Sequence, residues 1–158
     1  MALARRARQI EELQLRQADF FASVRVSDYL FAKDQLFAEL NLSPDELGLY
    51  NQVTASLNID APVPDLVIYL QSSVDALLER IARRDIAFER TIDRNYLEKV
   101  ADAYARFFHE YNDGPLLIVN ATQIDPVNNE ADYKQLFRQI ESTTGGRHFF
   151  NPVAAALP

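Results

Sequence analysis

Apolar residues recur at helical spacing over the first twenty residues of the chain. Apolar side chains, joined by two glutamines, return every three or four positions, which is typical of an amphipathic helix. The positions are Leu3, Ala7, Ile10, Leu13, Gln14, Gln17, Phe20 and Phe21. No capping residue stands ahead of this pattern, so we expect the sequence to begin inside a helix that starts upstream.

The pattern then shortens to an alternation. Val24 and Val26 are separated by a polar residue, which predicts a brief strand that ends near Ser27 and Asp28. Residues 32–40 return to helical spacing and predict a short amphipathic helix.

The start of a further helix is marked by three signals after residue 42. Ser43 is a good N-cap, Pro44 suits the first helical turn, and Glu46 completes a capping box with the serine. We expect this helix to turn four residues inward, namely Leu47, Tyr50, Val53 and Leu57.

Two continuous apolar runs in the second half have the length of strands. They are Leu66–Leu70, which follows two helix-breaking prolines, and Pro115–Asn120. Because both runs lack alternation, we expect parallel strands that are buried on both faces.

Amphipathic helices separate and follow these runs. Ser72 or Ser73 caps a helix that extends to residue 84, and a long helix is predicted over residues 95–112. A final helix covers Ala131–Ile140 and is ended by the glycine pair at 145 and 146. We expect the last residues, 147–158, to form a loosely ordered extension.

Strands that alternate with helices are the signature of an α/β fold built on a parallel sheet with flanking helices. Only three strands can be identified, so we expect the sheet to be incomplete and its remaining strands to precede residue 1. We expect one domain over residues 1–150 and a tail over residues 151–158.

Composition and charge exclude several kinds of protein. The chain has 16 basic and 23 acidic residues, a net charge of −7, which argues against binding a nucleic-acid polymer. It has no cysteine and two histidines, so thiol chemistry and a histidine-rich metal site are not expected. No apolar run approaches the roughly 18 residues of a membrane span, and we expect a cytoplasmic protein without membrane association.

The order of these elements, and four segments within them, resemble the bacterial deoxynucleoside kinases. The segments are "SDYLFAKDQLFAELNL", "PDLVIYLQSSVDALLERIARRDIAFE", "YLEKVADAYARFFHEY" and "PLLIVNATQID". The resemblance implies a P-loop kinase-like fold and transfer of the ATP γ-phosphoryl group, with Mg²⁺, to the 5′-hydroxyl of a deoxynucleoside. Bacterial relatives often use deoxyadenosine or deoxyguanosine, so a purine substrate is implied, as is a homodimer.

The resemblance assigns a nucleoside pocket to the first of these segments. Asp28 matches an acidic residue that ends a strand in the pocket, although Tyr29 stands where the family usually has arginine. Asp34 matches an aspartate that faces the nucleobase. Without the resemblance, a helix cap and a solvated carboxylate would be the simpler interpretation.

The second segment resembles the family's lid, whose arginines close over ATP. Arg80 and Arg84 match two of them, and Ile86 replaces a third. Phosphoryl transfer needs such cations because negative charge spreads over the phosphoryl oxygens in the transition state. Glu89 matches a glutamate that contacts the deoxyribose 3′-hydroxyl. A charged helix end that complements the helix dipole would explain the arginines equally well.

The last segment resembles the loop that wraps the adenine of ATP, which assigns Asn120 and Asp125 to cofactor binding. A phosphate loop of the form G-x-x-x-x-G-K-[ST] does not occur among the 158 residues. In the family, this loop and the catalytic carboxylate base lie at the N-terminal end.

Three interpretations stay open. The chain is a fragment of a true kinase and is inactive alone, or a non-catalytic interaction protein that keeps the family's dimer-forming helices, or an unrelated α/β binding module.

Overall fold

A computed structural model describes residues 24–57, 61–86 and 91–152 of the chain. The predicted first helix, residues 87–90 and the end of the tail lie outside these ranges. The described helices are α1 (Lys33–Asn41), α2 (Pro44–Leu57), α3 (Val74–Arg84), α4 (Arg94–Glu110) and α5 (Glu130–Ser142), and the described strands are β1 (Val67–Gln71), β2 (Leu116–Asn120) and β3 (Arg147–Phe150).

The three strands form one parallel sheet in the order β1, β2, β3. The register pairs Ile68 with Leu117 and Leu70 with Val119. Paired residues of neighbouring strands lie on the same face, so these four side chains share one face of the sheet. The predicted α/β fold with a parallel sheet and flanking helices is confirmed.

The two faces of the sheet have different cores. One face is aliphatic: Leu117, Val119 and Ile124 are buried and pack with partly buried residues of α5. The other face is aromatic, because Tyr69 of β1 stacks on Phe108 of α4 with ring centroids 4.3 Å apart. Helices α4 and α5 therefore cover opposite faces of the sheet.

Two predicted helix starts are confirmed with their caps. In α2, the Ser43 amide donates to Glu46 Oε2 (2.9 Å), and the Ser43 hydroxyl donates to the same oxygen (2.7 Å). In α3, Ser73 rather than Ser72 is the cap, because its Oγ accepts from the Ala76 amide (3.3 Å).

The predicted strand at residues 24–27 is wrong. Val24 and Val26 are 93% and 94% exposed and have no strand geometry. Alternation alone does not make a strand, since a strand also needs a hydrogen-bonded neighbour to be stable.

The predicted inward face of α2 is wrong in part. Leu47 and Tyr50 are half-buried, but Val53 and Leu57 are exposed, and none of the helix's residues is fully buried. The strand β1 is present as predicted, yet it is not buried on both faces: Leu70 is 52% exposed. An apolar run reports only that burial is favourable, and the packing of neighbouring elements decides how far it occurs.

The predicted loose tail contains a strand instead. Gly145 and Gly146 both have positive φ (60° and 65°), which glycine adopts without strain, and they turn the chain into β3. Phe150 then packs against the aliphatic core, which accounts for the order of this segment.

The chain divides into two compact units, residues 1–63 and 64–158. The first contains α1 and α2, and the second contains the sheet with α3, α4 and α5. In neither unit does a described helix have the length and hydropathy needed to cross a membrane.

Candidate nucleotide site

The carboxyl ends of β1 and β2 meet at one edge of the sheet, because the two strands are parallel neighbours. There the Ala121 amide donates to the Gln71 carbonyl at 2.7 Å. Residues 72 and 73 follow β1, and residues 121–129, called here the β2 loop, follow β2. In α/β sheets this edge is where ligands usually bind.

The β2 loop is tied to the start of α3 and to its own strand. The Ser73 amide donates to Thr122 Oγ1 (3.2 Å), which joins residues 49 positions apart. The Thr122 amide donates to Asn120 Oδ1 (3.2 Å). Asn120, which we predicted as a nucleotide-binding residue, therefore uses its side-chain oxygen to shape the first turn of the loop.

Arg80 reaches the same loop from the middle of α3. Its Nη2 donates to the carbonyl oxygens of Ala121 (2.5 Å) and Ile124 (3.0 Å). Its Nη1 donates to Ser72 Oγ (3.2 Å). One guanidinium thus joins the segment after β1 to the loop after β2.

Asp125, the second residue we predicted for nucleotide binding, lies at the far side of the β2 loop. Its carboxylate accepts from the Asn128 side-chain amide (2.9 Å) and from the Asn128 backbone amide (3.3 Å). Arg83 of α3 lies 3.8 Å from the same carboxylate. The hydrogen bond from the Asn128 side chain is the main cause that lowers the pKa of Asp125.

A buried carboxylate supports the loop from the start of α5. Asp132 Oδ2 accepts from the Asp125 amide at 2.8 Å, and Asp132 is 4% exposed. Asn129 caps the same helix by accepting from the amides of Ala131 and Asp132. The loop is therefore held at both ends by hydrogen bonds to main-chain amides.

The predicted lid lies at the end of α3. Arg84 is the last residue of the helix and is exposed, and Asp85 follows in the left-handed conformation (φ 54°). Glu89 lies outside the described residues. Within the described ranges no three histidine or acidic side chains are grouped closely enough to hold a metal ion.

The predicted nucleoside residues lie in the first unit. Asp34 of α1 is 5% exposed, and its Oδ2 accepts from the Tyr29 hydroxyl at 2.7 Å. Asp28 is exposed, and its carbonyl oxygen accepts from Lys33 Nζ at 3.5 Å. The tyrosine that replaces the usual arginine thus contacts the carboxylate that we predicted to face the base.

The structure therefore groups the predicted residues in two places. Four of them belong to the second unit. Three of these meet around the β2 loop, namely Arg80, Asn120 and Asp125, and Arg84 lies at the end of α3. Sequence reasoning missed the supporting carboxylate, Asp132, although asparagine followed three residues later by an acidic residue resembles a capping box and marks it. It also missed the carbonyl partners of Arg80, because they are main-chain groups and the type of residue does not reveal them.

Comparison with known proteins identifies the family of the chain. The family model for deoxynucleoside kinases matches residues 1–144. A deoxyguanosine kinase of Bacillus subtilis is 30% identical over 120 residues, which are 73% of this chain and 58% of that protein. A deoxyadenosine kinase of Lactobacillus acidophilus is 28% identical over 130 residues, 73% of this chain and 60% of that protein. The chain thus spans about three-fifths of the length of these curated relatives.

A solved structure supports the fold. The deoxyadenosine kinase of M. mycoides with bound dATP aligns with a TM-score of 0.63 and 22% identity, over 83% of this chain and 68% of that chain. The chain thus has a kinase-like α/β fold, and the match over residues 1–144 is more specific. The chain belongs to the deoxynucleoside kinase family.

Proposed function

We propose that the chain supplies the lid and the nucleotide-base loop of a deoxynucleoside kinase, which transfers the γ-phosphoryl group of ATP to the 5′-hydroxyl of a deoxynucleoside. The observation that carries this proposal is the meeting of α3, which bears the predicted lid arginines, with the β2 loop at the carboxyl edge of the sheet. The match to the family over residues 1–144 supports it.

The chemistry of the reaction suits these groups. Phosphoryl transfer is catalysed mainly by positioning and by cations that offset charge on the transferred oxygens. We propose that Arg84, at the exposed end of α3, contacts those oxygens. We propose that Asn120 and Asp125 belong to the β2 loop that contacts the adenine of ATP. We propose that Arg80 also serves ATP binding, from α3 at the same edge of the sheet.

The deoxynucleoside that accepts the phosphoryl group is assigned to the predicted residues of the first unit and to Glu89. We propose that Asp34 accepts a hydrogen bond from the base, that Asp28 contributes to the pocket and that Glu89 contacts the 3′-hydroxyl. The relatives named above are described as deoxyguanosine and deoxyadenosine kinases, which supports a purine substrate. Asp34 is 5% exposed and its Oδ2 accepts from the Tyr29 hydroxyl, so a base would meet a carboxylate that is already held in place.

We propose that the 158 residues alone do not bind MgATP usefully. The sequence contains no G-x-x-x-x-G-K-[ST] loop, whose amides and lysine hold the phosphates. We assign no Mg²⁺ ligand to the described residues. Calorimetry of the chain with millimolar MgATP should show no saturable heat, and a clear binding curve would contradict this proposal.

The test of catalysis uses the full chain fused behind the phosphate-loop segment of a relative. In an active fusion, Arg84→Ala should lower kcat by about 30- to 1000-fold, because a contact made in the transition state appears in kcat. Glu89→Gln should mainly raise the KM for the deoxynucleoside, since the sugar is also contacted in the ground state.

Arg106→Ala provides the matched control, because it removes an exposed arginine from α4. It should leave both kinetic constants within about twofold, as surface substitutions usually do. A kcat that stays within twofold for Arg84→Ala would assign Arg84 to the helix dipole alone and remove it from the lid.

We also propose that the protein forms a homodimer. We expect no nucleic-acid polymer among its ligands. Helix α2 carries an exposed apolar stripe at four-residue spacing, formed by Leu49, Val53 and Leu57. Exposed apolar surface of this kind favours association. Sedimentation at about 50 μM should show a dimer, and Val53→Glu should shift the chain towards the monomer.

A further inference from the structure

Within the described residues, Arg80 is bound by two main-chain carbonyls and one hydroxyl, and none of its partners is acidic. Of its contacts, two are to the carbonyl oxygens of Ala121 and Ile124 and one is to the Ser72 hydroxyl. Ala121 and Ile124, which carry these carbonyls, are 5% and 2% exposed. A buried carbonyl requires a donor, and a guanidinium forms a stronger hydrogen bond than a neutral group does.

The geometry of these contacts fixes a segment instead of a single atom. Ala121 and Ile124 are three residues apart, at the two ends of the first turn of the β2 loop. Because one nitrogen, Nη2, holds both carbonyls while Nη1 holds Ser72, the turn cannot open without losing contacts to the same guanidinium. The planar fork of arginine allows this spread of donors.

Arg83, on the same helix, makes a weaker and more exposed contact with the β2 loop. It lies 3.8 Å from the Asp125 carboxylate, and the two side chains are 64% and 41% exposed. Ion pairs so open to water contribute little to stability. The two arginines are three residues apart, so they form a natural pair for comparison.

We propose that Arg80 is a positioning residue, which holds residues 121–124 in the conformation that receives the nucleotide base and affects the binding of ATP through that loop. The inference rests on the proposed function for the role of the loop, but the clamp itself rests only on the contacts named above. In this proposal Arg84 places a positive charge beside the phosphates, and Arg80 fixes the conformation of the loop that contacts the base.

Hydrogen exchange in the full 158-residue chain tests the clamp. Arg80→Ala should speed exchange of the hydrogen-bonded amides of Ala121, Thr122 and Asp125 by at least about tenfold, the expected effect of losing hydrogen bonds to a charged group. Arg83→Ala should change them less than twofold. Arg80→Lys should give an intermediate value, because one ammonium cannot span the three acceptors.

Two results would overturn the clamp. One is equal exchange in Arg80→Ala and Arg83→Ala. The other is an acceleration spread evenly over β1, β2 and α5, which would show general destabilisation. If Arg80→Ala does not fold, Arg80→Lys decides alone: it must loosen the three loop amides more than those of β2, or the inference is wrong.

Kinetics of the fusion separate this inference from the proposed function. Arg80→Ala should raise the KM for ATP about tenfold or more and leave kcat within about threefold, since the base is contacted in the ground state. A fall in kcat like that of Arg84→Ala, with unchanged exchange, would mean that Arg80 contacts phosphate directly. Faster exchange with an unchanged KM for ATP would keep the clamp and reject the assignment of the loop to the base.

Discussion

In the second unit, side-chain hydrogen bonds join distant segments, whereas those described within residues 24–57 join positions at most five apart. Arg80 and Ala121 are 41 residues apart, and Ser73 and Thr122 are 49 apart. In the described part of the first unit, the buried Asp34 accepts a hydrogen bond from the Tyr29 hydroxyl, five residues away. The sheet explains the difference, since parallel strands bring the loops after them to one edge.

Burial follows the same division. The second unit contains three side chains that are almost completely buried, Leu116, Leu117 and Val119. In the first, α2 has no buried residue within the described range, and α1 has three. A site built on the sheet is therefore held by a packed core, whereas the Tyr29 and Asp34 pair lies at the start of the short helix α1.

Core substitutions give the largest expected contrast between the two units. Leu117→Ala, in the fully buried centre of β2, should lower the free energy of unfolding by about 3 kcal/mol, through lost burial and the cavity it leaves. Val63→Ala, at a 64% exposed position of the first unit that lies outside the apolar stripe of α2, should change it by less than about 0.5 kcal/mol. Urea denaturation measures both, and similar losses would remove the contrast.

The same contrast decides what could be predicted from the sequence. Strands β1 and β2 were predicted from continuous apolar runs, and helices α3, α4 and α5 were predicted from a helical period in the residues. Strand β3 was missed because it has only four residues, begins with Arg147 and His148, and gains its order from pairing with β2. The strand expected at Val24 and Val26 had the pattern without such a pairing.

Candidate site residues could be selected from the sequence where the type of side chain itself suggests a role. The arginines and the loop residues could be selected by type and order, with the family resemblance. The clamp could not, because the acceptors of Arg80 are main-chain carbonyls and every residue has one. Contacts of this kind become visible only when the sheet has fixed which loops are neighbours.

Helix caps give a contrast of intermediate size. Asn129 accepts from two amides at the start of α5 and stands beside the buried Asp132. Asn129→Ala should therefore lower the free energy of unfolding by about 1–2 kcal/mol. Ser43→Ala, in the exposed capping box of α2, should have a smaller effect. Thermal denaturation of both variants measures the difference, and a larger effect at Ser43 would reverse the ranking.

The smallest contrast concerns acid. The pKa of Glu46 is lowered chiefly by the hydrogen bond from the Ser43 backbone amide, and that of Asp125 chiefly by the bond from the Asn128 side chain. A carboxylate whose folded pKa is depressed stabilises the fold above its unfolded pKa, about 4 for both types. That contribution is lost as the pH falls through the folded value.

Both carboxylates are exposed, so we expect each effect to be small and confined to the region below about pH 4. Urea denaturation at pH 5.5 and at pH 3 should show that Glu46→Gln and Asp125→Asn each lose less stability in acid than the natural chain. Helical circular dichroism should follow Glu46, which caps a helix, more than Asp125, which shapes a loop. If both variants lose as much stability on acidification as the natural chain, neither hydrogen-bonded carboxylate contributes, and the acid sensitivity of the protein arises from other groups.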